Sequence, residues 1–290
     1  MKRKQSTQNT RLLAVAELGS NASRLALFTA GGKSQKMPHI HEERLLRQPW
    51  KRPGLTNLDR LTPARTHEIT QHWQLLTAEC QKHNAVPIGA VATGVFRKLQ
   101  GSVSLFQKLH RGSSTWPGIE LLSPRREAQL LEYAYHWHHA RARPPLCLID
   151  LGAHSMQVVA WVNAYSTLYR SYELGFTQLV ERSASHLRER TKLRKFILQL
   201  NLRTSSQWKV VLTGGSAYRL WKSPLAPLKA FCRPPTPHET GTNGATPDYK
   251  SAEELFCYLL HSFHRNPRCH YEAISLREGI VAEWVSNRLW

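Results

Sequence analysis

Two stretches of the chain share one pattern: an apolar run, a single carboxylate, a Leu-Gly step, and a second apolar run. Leu13 to Phe28 reads LAVAELGSNASRLALF, and Leu146 to Trp161 reads LCLIDLGAHSMQVVAW. Superposed, Glu17 falls on Asp150, Leu18 on Leu151, Gly19 on Gly152 and Leu25 on Val158. Short apolar runs bounded by a turn signal predict strand–turn–strand. The chain therefore carries two related hairpins, one in each half.

The remaining pattern alternates between the two periods. After the first strand pair (about 12–29), HIHEERLLRQPWKRPGL reads as a basic connecting region. From Thr62 to about His83, TPARTHEITQHWQLLTAECQKH has helical spacing, with Thr62 as cap and Pro63 at the first position. PIGAVATG reads as a strand, a helix follows from Val95, GIELLS is a strand, and RREAQLLEYAYHWHHA is a helix that ends before Pro144. Beyond the second hairpin come a strand, STLYRSYELG, and a strongly basic helix, TQLVERSASHLRERTKLRKFILQL. WKVVLTGGSAYRLW reads as strand, double-Gly turn and helix. Residues 223–250 have loop composition, and helices over about 251–264 and 276–288 complete the reading. This order predicts an α/β protein of two related lobes, residues 1–124 and 125–290.

Composition narrows the function classes. The chain has 290 residues, 41 % hydrophobic, enough for a sizeable core, and its most apolar early stretch is broken by Glu17 and Arg24. No membrane span or clean signal peptide is read, and a soluble cytoplasmic protein is expected. Five cysteines, Cys80, Cys147, Cys232, Cys257 and Cys269, form no C-x-x-C pair and predict free thiols. Forty Lys and Arg against twenty Asp and Glu give a net charge of +20. Such a field attracts polyanions: nucleic acid, polyphosphate, phosphorylated nucleotides or an acidic membrane surface.

The paired turns give this field a focus. Glycine-rich turns at strand tips cluster backbone N–H groups suited to phosphate oxygens. A carboxylate at each strand end can bind Mg²⁺ directly or through water. The duplication then makes sense as two jaws of a phosphate clamp; the plainer alternative is two hairpins with glycine in left-handed turns.

Seven segments, in order, resemble the exopolyphosphatase/guanosine pentaphosphate phosphatase (Ppx/GppA) family. AELGSN resembles its first phosphate loop, Asp-x-Gly-Ser-Asn, and AVATGVFRK resembles Ala-Thr-Ser-Ala-x-Arg, retaining Arg97. GIELLSPRREAQLL resembles Ser-Gly-Glu-Glu-Glu-Ala-Arg-Leu, and LIDLGAHSMQVV stands where the second phosphate loop belongs. YELGFTQLVE, LTGGSAYRL and LREGIV resemble three later landmarks. The resemblance implies two ribonuclease-H-like (actin-like ATPase) lobes with a phosphate-binding cleft between them. It implies Mg²⁺-assisted removal of terminal phosphate from polyphosphate or pppGpp. Residue by residue, Glu127 falls on the carboxylate that orients the attacking water and Arg97 on a phosphate-contacting arginine. Asp150 and Glu17 fall on metal positions. Gly19, Ser20, Asn21, Gly152, Ser155, Gly214 and Gly215 fall on phosphate-binding turns. Homodimerisation is a tendency of the family.

The departures bear on activity. Gln157 stands where the resemblance expects a second catalytic Glu, and losing such a group typically costs about 10²–10⁴-fold in rate. Ala153 and His154 replace two glycines of the second loop, Glu17 replaces Asp, and Arg125 and Arg126 replace two acids beside Glu127. The retained scaffold with an eroded site leaves two readings: a phosphohydrolase, or a regulatory module that binds polyphosphate or (p)ppGpp without turnover. Weaker candidates are a zinc site from His261, His264, Cys269 and His270, which matches no standard spacing. The helix LRERTKLRKF offers a nucleic-acid contact, although a solvated charged face is the commoner explanation.

Overall fold

A computed structural model describes residues 12–20, 22–29, 39–47, 60–113, 115–140, 143–152, 155–175, 184–199, 207–214 and 268–289. The chain divides into two compact units, Met1–Leu122 with Arg277–Trp290, and Ser123–Leu276. Arg277–Trp290, which holds most of the terminal helix, groups with the first unit.

The first unit is built on strands β1 (Leu12–Leu18), β2 (Ala22–Thr29), β3 (His39–Arg47), β4 (Val86–Ala92) and β5 (Ile119–Leu121), in the spatial order β3-β2-β1-β4-β5. β1, β2 and β3 form an antiparallel meander, while β4 and β5 run parallel to β1. Helices α1 (Pro63–Lys82) and α2 (Ser102–Arg111) bury Ile69, Trp73, Leu76, Leu105 and Phe106 with Ala14, Ala16, Leu18, Leu25 and Leu27. α1 starts as its sequence dictates: the Thr62 hydroxyl accepts the Arg65 N–H at 3.3 Å, with Pro63 in the first turn.

The second unit repeats this plan. Strands β6 (Leu146–Leu151), β7 (Met156–Asn163), β8 (Ser166–Tyr172), β9 (Lys209–Thr213) and β10 (Cys269–Tyr271) lie in the order β10-β9-β6-β7-β8. Again the first three are an antiparallel meander, and the last two run parallel on the other side. Both faces of the central strands are covered, so β6, β9 and most of β7 read as apolar runs, whereas β8 and β10 do not. Cys147, Ile149, Leu151, Val158, Val210 and Leu212 meet Leu193 and Phe196 of α4 (Ala184–Gln199). Leu146, Leu148, Val159 and Val211 meet Ala128, Leu131, Ala134 and Tyr135 of α3 (Pro124–His138). The terminal helix is α5 (Leu276–Leu289).

Three elements depart from the sequence reading. β3 is expected from the sequence to be a connection; among the described residues it pairs only with β2, and such an edge position accommodates charged residues that a central strand would not. Val95 starts no α-helix: Gly94–Arg97 is a single 3-10 turn, and the helix begins at Ser102, after Gly101 at φ +91°. β10, three residues long, was not foreseen. The loop over 223–250 and the helix over 251–264 lie outside the described residues. Among the described residues no helix is long and apolar enough to cross a membrane.

One polar cluster ties α3 to β10. His139 at the C-terminal cap of α3 and His270 in β10 each contact Glu272 at 2.5 Å, and Lys209 reaches it at 3.6 Å. Burial alone would raise the Glu272 carboxyl, but hydrogen bonds from His270 and His139, with their charge, outweigh it and hold the group at about 2. A folded value below the ordinary 4.5 means that this carboxylate stabilises the fold above pH 4.5, and the contribution is lost as pH falls toward 2. Glu272→Gln removes that dependence. In urea denaturation the stability difference between wild type and variant should therefore shrink steadily from pH 4.5 to 2; a constant difference would refute the assignment.

Candidate functional site

The hairpin β1–β2 is closed by the Gly19 N–H donating to the Ala22 carbonyl at 3.0 Å. A Cβ on Gly19 would lie 2.9 Å from that same oxygen. The hairpin β6–β7 is closed identically: Gly152 N–H donates to the Ser155 carbonyl at 3.0 Å, and a Cβ on Gly152 would lie 2.9 Å from it. Neither glycine is among the residues with positive φ. Glycine is required in both turns by close backbone approach and not by a left-handed conformation. Asn21, Ala153 and His154 lie outside the described residues.

In the first unit, the Ser20 hydroxyl accepts the Val95 N–H at 2.9 Å, so it caps the 3-10 turn that follows β4. Gly94 makes the approach feasible: it sits at φ +59°, and a Cβ there would be 2.1 Å from Ser20 Oγ. Arg97, on the same turn, donates to the Leu122 carbonyl at 3.2 Å. Glu17 is 6 % exposed. Its Oε2 accepts from Arg277 Nη1 of α5 at 2.9 Å, and its cross-strand partner Arg24 lies 3.5 Å from both carboxylate oxygens. Two guanidiniums thus occupy the surroundings that the resemblance assigned to a metal ion. Glu17 does not fit that role: a cation there would have to displace buried, charge-assisted hydrogen bonds.

In the second unit, Asp150 is half-buried near the end of β6, and its cross-strand partner is Gln157 of β7. Gly214, after β9, packs against it. At φ +93°, a Cβ on Gly214 would lie 2.5 Å from Asp150 Oδ1 and 2.8 Å from the Leu151 carbonyl oxygen. Only glycine fits that position; Gly215 lies outside the described residues. The Thr213 hydroxyl donates to the Ile274 carbonyl and anchors the start of this turn.

Glu127 reaches the same hairpin from α3. Ser123 caps the helix by accepting the Arg126 N–H at 3.1 Å, Pro124 opens it, and Glu127 falls in the first turn, where the helix dipole favours a carboxylate. Glu127 is 6 % exposed and Gln157 3 %. Gln157 Nε2 donates to Glu127 Oε2 at 2.7 Å and to Ser155 Oγ at 2.8 Å. The second unit therefore gathers Glu127, Asp150, Gly152, Ser155, Gln157 and Gly214 around one hairpin, and the first gathers Glu17, Gly19 and Ser20 around the other. Asp150 is a half-buried carboxylate with the hard-oxygen chemistry that Mg²⁺ takes.

Sequence reasoning missed Arg24 and Arg277 as the partners of Glu17. The hairpin overlay held a signal for the first, because antiparallel register sets residue 24 opposite residue 17. Of the zinc candidates, His261 and His264 lie outside the described residues, and His270 is engaged with Glu272. Among the described residues no group of three or more His, Cys, Asp or Glu side chains is arranged to hold a metal ion.

The Glu17–Arg277 pair gives a direct prediction. Arg277→Met leaves the buried carboxylate with the more distant Arg24 alone, and breaking a buried pair from one side costs about 3–5 kcal/mol. We expect the variant to fall at the lower end of that range in urea denaturation. The double variant Glu17→Met/Arg277→Met should recover most of the loss; an additive double variant would show that the pair is not coupled.

No protein-family model and no curated protein sequence matches the chain. Solved structures do. A Ppx/GppA family member from Aquifex aeolicus matches with a TM-score of 0.68 and 17 % identity over 96 % of this chain and 98 % of its own. An exopolyphosphatase from Cytophaga hutchinsonii matches with a TM-score of 0.67 and 14 % identity, again over 96 % and 98 %. An exopolyphosphatase-like protein matches with a TM-score of 0.66 and 13 % identity over 97 % and 99 %. Over nearly its whole length, the chain has the fold of the Ppx/GppA structures.

Proposed function

We propose that the chain is a phosphohydrolase of the exopolyphosphatase type, releasing terminal phosphate from inorganic polyphosphate or from pppGpp. The observation that carries this reading is the buried Glu127 in the first turn of α3, held by Gln157 beside the Asp150–Gly152 turn. The likeness in fold to exopolyphosphatase structures supports it.

In this reading water attacks the terminal phosphorus while the bond to the bridging oxygen breaks. The bonding electrons leave with the shortened chain, and the water proton passes to Glu127. Phosphoryl transfer needs positioning and charge neutralisation more than covalent help. Phosphate oxygens are received in the second unit by the turns of Gly152 and Ser155 and of Gly214, and the resemblance assigns further phosphate contacts to Gly19, Ser20, Asn21, Arg97 and Gly215. Bound Mg²⁺, held by Asp150, would supply charge neutralisation at the phosphate oxygens. The net charge of +20 raises the local concentration of any polyanion.

A second reading is favoured by one specific observation. Glu17 is neutralised by Arg24 and Arg277, so the first hairpin presents no anionic site for a metal. A module that binds polyphosphate or (p)ppGpp without turnover would tolerate this.

The two readings separate in one assay. Phosphate release from long-chain polyphosphate and from pppGpp is measured with Mg²⁺ and with chelator, for wild type and Glu127→Gln. The hydrolase reading expects Mg²⁺-dependent release by wild type and a loss of about 10²–10⁴-fold in the variant. Tight binding by wild type with no release of phosphate from either substrate would overturn it in favour of the binding module.

A further inference from the structure

We propose that the groove between the start of α3 and strand β8 is a second anion subsite of the second unit. It receives the phosphates of a linear polyphosphate chain behind the terminal one, and so sets long-chain polyphosphate above pppGpp as a ligand. This rests on the hairpin of Asp150 and Gly152 holding a terminal phosphate, as read above, and it concerns residues that the hydrolytic step does not use.

The groove has a volume of about 390 Å³ and is lined by Thr167 to Ser171 of β8 with Pro124 and Arg125 of α3. Successive residues of a strand point to opposite faces, so five in a row line one space only along the strand's edge. Among the described residues β8 pairs with β7 alone. The lining side chains bring two guanidiniums and three hydroxyls, and none of them is acidic. Arg125 is exposed and lies over the Tyr169 ring, its guanidinium carbon 5.7 Å from the centroid. A guanidinium held against an aromatic face keeps its N–H edge available to an anion. Arg170 is exposed as well, and its Nη1 donates to the Tyr169 carbonyl at 3.0 Å, which fixes it beside the groove. Glu132, the carboxylate that touches Tyr169, has both oxygens engaged, one by the Tyr169 hydroxyl and one by the Trp161 indole N–H.

The sheet register joins this groove to the proposed reaction centre. Asp150 lies opposite Gln157, and Gln157 lies opposite Ser171. Opposite residues of an antiparallel pair share a face, so Ser171 continues the row of Asp150 and Gln157, and Gln157 in turn meets Glu127. An anionic chain that ends at Asp150 and follows this row runs into the groove. Polyphosphate repeats its charge along its length and suits two guanidiniums in succession. In pppGpp a nucleoside stands there instead, and Tyr169, the aromatic residue of the groove, already has Arg125 against its ring. Arg125 also stands where the resemblance expects an acid, so the subsite is a property of this chain.

The test measures binding by isothermal titration calorimetry at constant ionic strength, with chelator present so that affinity is read without turnover. Long-chain polyphosphate, pppGpp and polyglutamate are titrated into the full chain as wild type and as Arg125→Gln/Arg170→Gln. Both replaced side chains are exposed. The variant should bind long-chain polyphosphate about tenfold or more weakly, and pppGpp within about twofold of wild type. A second variant, Lys108→Gln/Arg111→Gln, removes the same charge from exposed positions of α2 and should keep wild-type affinity for long-chain polyphosphate. Unchanged binding of long-chain polyphosphate by Arg125→Gln/Arg170→Gln overturns the proposal. So does an equal loss for pppGpp, or an equal loss in the α2 variant, which would assign the effect to the overall field. Polyglutamate binding that is tighter than polyphosphate binding and is lost with the two arginines overturns it in favour of a dock for acidic peptide. Phosphate release with Mg²⁺ is assayed separately: a wild type that binds polyphosphate and releases none ends the hydrolase reading, while the affinity series still decides the groove.

Discussion

A carboxylate taken out of water must be met by donors, and four of the described carboxylates show how this chain does it. Glu17 is met by two guanidiniums, Glu127 by an amide, Glu132 by the Trp161 indole N–H and the Tyr169 hydroxyl, and Glu272 by two imidazoles. Each solution joins elements far apart in sequence, and each leaves a different local charge. Glu17 is met by two cationic guanidiniums, whereas the Gln157 amide that meets Glu127 is uncharged. The two hairpins are alike in backbone and unlike in electrostatics. That contrast is why the second unit carries the proposed chemistry and the first is read as a receiver of anions.

The backbone likeness itself was visible in the sequence. Asp150 and Glu17, Gly152 and Gly19 align because each glycine must admit a carbonyl oxygen where a Cβ would intrude. Strands β6 to β9 were visible too, and α1 announced itself through Thr62, Pro63 and its helical period. β3 and β10 were not visible. An edge strand such as β3 can be paired through its backbone while its side chains show no clear alternation, and a three-residue parallel strand such as β10 is too short for any period to register. The region after Val95 failed for another reason: apolar residues there mark a 3-10 turn capped by Ser20, seventy-five residues earlier in the chain.

Side-chain partners were the least visible layer. In sequence, Gln157 is a lost glutamate; in the fold, its amide donates to Glu127. Glu17 reads as a lengthened aspartate until Arg277, 260 residues further on, closes on it. A substitution judged against a motif shows only what has gone. What has taken its place depends on which distant side chain the topology delivers, and one chain read alone does not carry that information. Gly214 shows the converse. Its positive φ and its contact with Asp150 agree with the double-Gly turn, because there the constraint is local to the backbone.

The partnership of Glu17 with Arg277 has a consequence for biosynthesis. The glutamate leaves the ribosome 260 residues ahead of the arginine that neutralises it. All of β6 through β10 is translated in that interval, so the second sheet has its complete set of strands while the first still awaits its last helix. A nascent chain arrested before residue 277 would hold a sealed-in anion with its chief counter-charge not yet made, and quality-control proteases would meet the older half of the molecule as the unfinished one.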